Sequence, residues 1–325
     1  MAQTIGFWPV VGIMVVAFII LAKSADWLVE AAIEIAQRMH MPPMLIGIVL
    51  VSLGTTAPEL AVSVNAALSG QAAMALGNAV GSVIYDDGIA LPLAALFAPT
   101  VILIDRKVLR SAAIFLIAVD IIAYILCLDG ILGRWEGSVL VLGFIIYLFY
   151  SYWEQKRDRK EGRAVVAAVE EGEKRRSWVG VALFFCAGLV GVLISSEWIV
   201  VAAPIIAEAF GVPSVIVALT VVALGTSIPE IATCIIAARK GQGGLAAGNI
   251  LGADILNICW IAGASAMVNP LDVGTKVINF MFPSMLVIVF AMLGLMRAGY
   301  RLEKWKGGVL LALCLVYLVV LYLYF

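Results

Sequence analysis

Apolar residues run along this chain in long blocks rather than in the strict alternation of strands or the single stripe of a soluble helix. Trp8 to Ala22, Ser111 to Leu128 and Gly307 to Phe325 are nearly continuous. Each is close to the ~20 residues an α-helix needs to cross the hydrocarbon of a bilayer. Breaks of polar residues, glycine or proline separate ten such blocks, which predict spans at 8–37, 44–68, 72–98, 108–128, 131–153, 178–209, 214–238, 243–268, 278–298 and 306–325. The first and sixth exceed ~30 Å at a rise of about 1.5 Å per residue, so they must tilt or end in interfacial turns. The expected fold class is an all-α polytopic membrane protein. The first apolar run has no basic n-region and no small-residue cleavage signal, so it reads as a span.

Composition agrees: 63% of the 325 residues are apolar and 13% charged, against roughly 45–50% and about 25% in soluble domains. The net charge of −1 gives no reason to expect a nucleic-acid partner; the partner implied is the lipid bilayer. The position of the charges says more than their sum. On a ten-span plan, one side of the membrane holds 18 of the 21 basic residues, among them Arg38, Arg106, Lys107, Arg110, Arg239, Lys240, Arg297 and Arg301, while the other holds only Arg134 and Lys276. Cytoplasmic loops carry the Lys and Arg excess. Both termini are therefore expected outside and loop 154–177 in the cytoplasm. That loop, too short to fold alone, reads as a linker between a first half, 1–153, and a second, 178–325. The five cysteines stand singly in apolar runs without a CxxC pair and read as small buried hydrophobes. His40, beside Pro42, reads as a loop residue at a helix end.

Compared with itself, the chain repeats at an offset of 171 residues. Residues 42–84 and 213–255 align without a gap and are identical at 17 of 43 positions, including Gly54/Gly225, Thr55/Thr226, Pro58/Pro229, Glu59/Glu230, Gly77/Gly248, Asn78/Asn249 and Gly81/Gly252. Five spans separate equivalent points, and five is odd, so the two copies are expected to cross the membrane in opposite directions. Two inverted five-helix halves are the architecture of many secondary transporters, whose sites lie near the midplane where the repeats meet.

The repeated polar residues suggest what such a site holds. Glu59 and Glu230 sit mid-span in apolar sequence, with Asp86, Asp87 and Asp254 nearby. Each charge at bilayer depth costs about 2.5–3.5 kcal/mol on insertion scales, and the same spans carry no basic residue, which leaves cations or protons to neutralise them. Thr55 and Glu59 are spaced i, i+4, as are Thr226 and Glu230, so hydroxyl and carboxylate share a helix face. Pro58 and Pro229 each lack an N–H and clash with the carbonyl four residues back, which predicts a helix break at each glutamate and freed carbonyls as ligands. Hard oxygen ligands suit Ca²⁺, with six to eight of them, or Na⁺, and the absence of His and Cys clusters argues against zinc or copper. The glycines at 77, 81, 248 and 252 have GxxxG spacing and fit helix packing as well as a ligand role. Asn78 and Asn249 fit ion-path lining or interhelical hydrogen bonding equally. Neighbouring helical residues point ~100° apart, so Asp86 and Asp87 cannot both face one site; Asp86 is the expected ligand, with Asp87 and Asp254 accessory. Asp120, in the fourth span, has no evident role beyond a helix–helix hydrogen bond, and Asp26 and Glu197 align as structural residues at span ends.

The paired GT(T/S)xPE and GNxxG(S/A)xI segments, on consecutive spans of two inverted halves, resemble the alpha repeats of the calcium/cation antiporter superfamily, and within it the prokaryotic sodium/calcium exchangers. The repeats would cover about 42–88 and 213–259. The resemblance implies that Glu59, Thr55 and Asp86 in the first repeat, and Glu230, Thr226 and Asn257 in the second, line adjoining Na⁺ and Ca²⁺ sites. Oxygens near Ser52, Ala223, Thr56, Ser227 and Ser82 would complete them, with Asp254 in support. The proton-coupled branch usually shows GNxxE; glycine follows GNAV and GNIL here, which favours sodium. Where the family commonly has Asn after the Ser/Ala of the second motif, this chain has Val83 and Asp254.

The resulting expectation is a secondary antiporter, not an enzyme and without a cofactor, exchanging Ca²⁺ for Na⁺ by alternating access in a prokaryotic inner or plasma membrane. A monomer suffices for this, and the oligomeric state is open. The same architecture moving Mg²⁺, Mn²⁺ or K⁺, or coupling to H⁺, is the alternative. A cation channel would need no counter-gradient. An intramembrane aspartyl protease, suggested faintly by Tyr85-Asp86 and Gly252-Ala253-Asp254, would have no use for symmetric glutamates.

Overall fold

A computed structural model of the protein describes residues 7–160, 176–209 and 224–324. They form helices α1 (Phe7–Met39), α2 (Pro43–Thr55), α3 (Ala57–Leu68), α4 (Ala72–Phe97), α5 (Arg106–Leu126), α6 (Arg134–Lys160), α7 (Trp178–Ala209), α8 (Ile228–Arg239), α9 (Gly243–Val268), α10 (Val277–Arg297) and α11 (Lys304–Tyr324). Four two-residue strands stand in the connections: β1 (Ile102–Leu103), β2 (Ile131–Leu132), β3 (Leu271–Asp272) and β4 (Arg301–Leu302). Among the described residues seven helices are long and apolar enough to cross a membrane, and the α2–α3 pair brings the number to eight if it is one bent span. The chain is thus a mostly helical integral membrane protein.

The apolar blocks and helices coincide to within a few residues, with two differences. The fifth block was expected to start at 131, but Ile131 and Leu132 lie in β2 and the helix starts at Arg134. At its other end α6 runs to Lys160, past the apolar boundary, because the Glu, Gln, Lys and Arg that follow Trp153 are good helix formers that need no buried partner. Most of the block at 214–238, and loop residues 161–175, lie outside the described residues.

Local chemistry sets the boundaries. α1 is 33 residues long, roughly 50 Å at 1.5 Å per residue, and ends with His40 in the left-handed conformation (φ 50°) and a Met41 N–H to Ala36 carbonyl bond of 2.9 Å, an αL cap of Schellman type. The turns after α3 and α8 are copies of each other: Gly70 and Gly241 both have φ 72°, and the next N–H in each reaches five residues back, Gln71 to Ala66 at 2.8 Å and Gln242 to Ala237 at 2.9 Å. Only glycine adopts that angle without strain. Before α5, the Asp105 carboxylate accepts from the Lys107 and Val108 N–H groups at 2.9 and 3.0 Å, an N-cap.

The two helices that carry the second motif of each repeat are central. Of their most apolar stretches 78% (α4) and 83% (α9) is inside the protein, against 22–39% for the other long apolar helices. α9 packs on α2 with no room for a side chain at Gly248, where a Cβ would stand 1.9 Å from the Met44 carbonyl oxygen. The strands join distant connections in antiparallel pairs. β1 pairs with β4, Ile102 opposite Leu302, and β2 pairs with β3, Leu132 opposite Leu271.

Candidate cation site

The site grows from two helix breaks. α2 and α3 meet at an angle of 47° at Thr56, where Pro58 cannot supply the N–H that would continue the helix. In the second repeat Ser227 occupies the same position, with nearly the same backbone angles (φ −83°, ψ 3° against −78°, 7°), one residue before α8 and its Pro229. Each break presents a Thr–Glu pair, Thr55 with Glu59 and Thr226 with Glu230. Both glutamates are buried to within 1% of complete.

Across the break stand α4 and α9, and each asparagine there binds one repeat to the other. Thr226 lies 3.4 Å from Asn78 Oδ1, and Thr55 lies 3.4 Å from Asn249 Oδ1. The amide nitrogens turn back to their own repeat: Asn78 Nδ2 donates to Ser63 Oγ at 3.0 Å, and Asn249 Nδ2 to Thr233 Oγ1 at 3.1 Å. Of the two roles open to these asparagines, the hydrogen bond between helices is the one observed. The amides also leave their donor ends engaged away from the carboxylates, and the carboxylates correspondingly lack donors.

Glu59 lies within electrostatic reach of Glu230 and Asp86 and beside the Thr226 hydroxyl; Glu230 lies beside the Thr55 hydroxyl; Asp86 lies within electrostatic reach of Glu230 and beside Ser227. Each repeat thus lends its threonine to the other's glutamate. Among the described residues no oxygen of Glu59, Glu230 or Asp86 has a hydrogen-bond partner of ordinary geometry, nor do the hydroxyls of Ser82 and Ser227 or either polar atom of Asn257, all buried. Native proteins rarely leave so many buried polar atoms together without partners. The Ser52 hydroxyl donates to the Ile48 carbonyl and Thr56 Oγ1 donates to the Ser52 carbonyl at 2.8 Å, which leaves the oxygens' lone pairs available. Ala223 lies outside the described residues. Among those residues no three His, Cys, Asp or Glu side chains converge closely enough to hold one metal ion by themselves. A hard cation here would draw on hydroxyl, amide and carbonyl oxygens as well as carboxylates.

Two features have no counterpart in the sequence reading. α4 and α9 each contain a π-helical turn at equivalent places, Asp86–Ala90 and Leu256–Ala262. Such turns often occur at functional sites, and no residue pattern announces them. At the first, Asp86 lies toward the glutamates and Asp87 toward a second group of acids, Asp254 on α9 and Asp120 on α5, all fully buried, with the Asp87 and Asp254 carboxyl groups within hydrogen-bonding reach of each other. Asp254, expected as an accessory residue, lies beside Asp87 and within electrostatic reach of Asp86. Asp120 makes no helix–helix hydrogen bond, contrary to expectation.

The sequence model of the sodium/calcium exchanger protein family matches residues 9–153 and 180–323. The inner membrane protein YrbG of Escherichia coli is 31% identical over 291 residues, covering 86% of this chain and 87% of that one. The sodium/calcium exchanger MaX1 of Methanosarcina acetivorans is 27% identical, over 95% of this chain and 97% of its own. Among solved structures, the sodium-calcium exchanger NCX_Mj soaked with Na⁺ and Sr²⁺ superposes with a TM-score of 0.80 at 26% identity, covering 95% of this chain and 97% of that one. With both halves matched by the family and relatives spanning nearly its full length, this chain belongs to the sodium/calcium exchanger protein family.

Proposed function

We propose that this protein is a secondary antiporter exchanging Ca²⁺ for Na⁺ at a midplane site formed by Glu59, Glu230 and Asp86, with Thr55, Thr226, Ser52, Thr56, Ser82, Ser227, Asn257 and Ala223 supplying further oxygens. The observation that carries this reading is the pair of symmetric, wholly buried glutamates, each facing the other repeat's threonine and neither paired with a basic side chain among the described residues. Buried anions need counter-charge. Among the described residues no basic side chain supplies it, only threonine hydroxyls approach, and a cargo of cations would supply it. The ions named for the relatives, Na⁺ with Ca²⁺ or Sr²⁺, are the hard cations such oxygens prefer.

The chain makes ten spans as two inverted five-helix halves, 1–153 and 178–325, joined by the cytoplasmic linker 154–177, with both termini outside. The strand pairs support this. β1 and β4 lie in connections that the plan puts in the cytoplasm, β2 and β3 in connections it puts outside, and each pair unites connections assigned to one side. An error of a single span between β1 and β4 would pair strands across the membrane.

Exchange follows from α1 and α7 sliding as one body against the repeats. These two helices touch backbone to backbone, since a Cβ on Gly188 would stand 2.6 Å from the Leu28 nitrogen. Toward the repeats α7 offers side-chain tips, Leu189 against Gly54 and Val200 against Gly225, contacts that shear at low cost. An empty site would carry uncompensated charge past the apolar barrier at about 2.5–3.5 kcal/mol per carboxylate, so the transition favours a loaded site, which makes exchange obligatory.

The test is ⁴⁵Ca²⁺ uptake into proteoliposomes driven by outward Na⁺, H⁺ or K⁺ gradients, with Mg²⁺ and Mn²⁺ as competitors. Uptake should require the Na⁺ gradient and fall to background in Glu59→Gln and in Glu230→Gln. Retained uptake in either variant overturns the site, and uptake without any counter-gradient makes the protein a channel.

A further inference from the structure

Asp26, Glu30, Glu34 and Arg38 follow one another at four-residue intervals along α1, so their side chains form a row on one face of the helix with one residue per turn. This row meets two cations from elsewhere in the fold. Lys240, which caps α8 just after Arg239, places its Nζ 2.6 Å from Asp26 Oδ1 and 2.9 Å from Glu30 Oε1. Arg176, just before α7, reaches Glu30 at 3.4 Å and Glu34 at 3.3 Å. The two bonds differ in what they connect. α7 is packed backbone to backbone on α1, so Arg176 joins parts of one body. Lys240 belongs to the repeat that carries Glu230, and it is fixed there by the left-handed turn at Gly241.

We propose that Lys240 is a positioning residue for transport, which grips the Asp26–Glu30–Glu34 row and so holds the α1–α7 pair in discrete registers, one helical turn apart, against the ion-binding repeats. The inference rests on the sliding motion proposed above. In the present register Lys240 has two carboxylates. A shift of α1 by one turn toward its own N-terminus, about 6 Å for four residues, brings Lys240 between Glu30 and Glu34, which it then shares with Arg176 and Arg38. A shift the other way leaves it Asp26 alone, beside the like charge of Lys23, itself 3.5 Å from Asp26. The row therefore favours the observed register, permits one neighbouring register and opposes the other. Burial alone would lower the affinity of the Lys240 ammonium for its proton; its hydrogen bonds to Asp26 and Glu30 outweigh that and raise its pKa, so the latch stays charged.

All these groups are partly exposed, and each such ion pair shifts a two-state ratio by no more than about fivefold. The experiment places spin labels at Trp8→Cys on α1 and Leu68→Cys on α3, both exposed, with Cys186→Ala to remove the exposed native thiol. Distance distributions are recorded in Na⁺, in Ca²⁺ and in neither. Two ion-dependent distances are expected, with their ratio changed about two- to fivefold by Lys240→Met and restored by Lys240→Arg. Asp26→Asn combined with Glu30→Gln, which keeps the side-chain shapes, should shift the ratio in the same sense, and it carries the test if Lys240→Met does not fold. Two ion-dependent distances whose ratio these variants leave unchanged overturn the latch alone. A single distance indifferent to ions in the parent overturns the sliding motion, and the latch with it.

Discussion

At Asp86 and Asp87 one π-helical turn sends adjacent carboxylates into different surroundings, the first to Glu230 and Ser227, the second to Asp254 and Asp120. That they would diverge was legible, because neighbours on any helix point apart. Where the second would go was not. Asp120 is a lone acid in an apolar run, and only the packing of α5 beside α4 and α9 brings it to Asp87. In this second group Asp87 and Asp254 reach each other, while Asp120 has no hydrogen-bond partner among the described residues and stands as a further acid beside Asp87. Asp120→Asn, nearly the same shape, is expected to keep the fold and raise its stability by on the order of 1 kcal/mol, seen as a higher thermal midpoint in detergent. A lower midpoint would mean that the carboxyl group makes a bond the amide cannot replace.

Helix breaks were the most legible elements. A proline inside an apolar block removes one N–H and crowds one carbonyl whatever surrounds it, so the 47° bend between α2 and α3 was readable at Pro58. The π-turns were not, because a widened turn is held by the packing around it rather than by any residue of its own. Glycine spacing showed close helix approach without showing where. At Gly248 the structure answers: a methyl group would meet the Met44 carbonyl at 1.9 Å, backbone that cannot rotate away. Gly248→Ala should therefore separate α9 from α2 and cost about 1–3 kcal/mol or more, measurable as a lowered unfolding midpoint. An unchanged midpoint would show that α2 moves freely over α9, contrary to a packed core.

Across the whole molecule, the proposed orientation rests on 18 basic residues segregated by loop, and two strand pairs join connections that it puts on the same side. Single cysteines at Lys276 and at Arg301, introduced with Cys186→Ala, should divide cleanly. A membrane-impermeant maleimide added to intact cells should label Lys276→Cys within minutes and reach Arg301→Cys only after permeabilisation. Labelling of both from outside would refute the ten-span plan. The strand pairs themselves were invisible in the sequence: each strand has two residues, too few for any alternation to register, and their partners lie 200 and 140 residues away.

The sequence alone determined the class, most helix boundaries among the described residues to within a few positions, the internal repeat and the acids without counter-charge. These follow from what a side chain or a proline does in lipid wherever it is placed, and a repeat needs only comparison with itself. Tertiary structure decided which threonine faces which glutamate, how the asparagines bind one repeat to the other, where Asp87, Asp254 and Asp120 gather, and that Lys240 meets a row of carboxylates more than 200 residues earlier. Such pairings depend on how helices distant in sequence cross and rotate against each other, and those angles come from packing the whole chain at once.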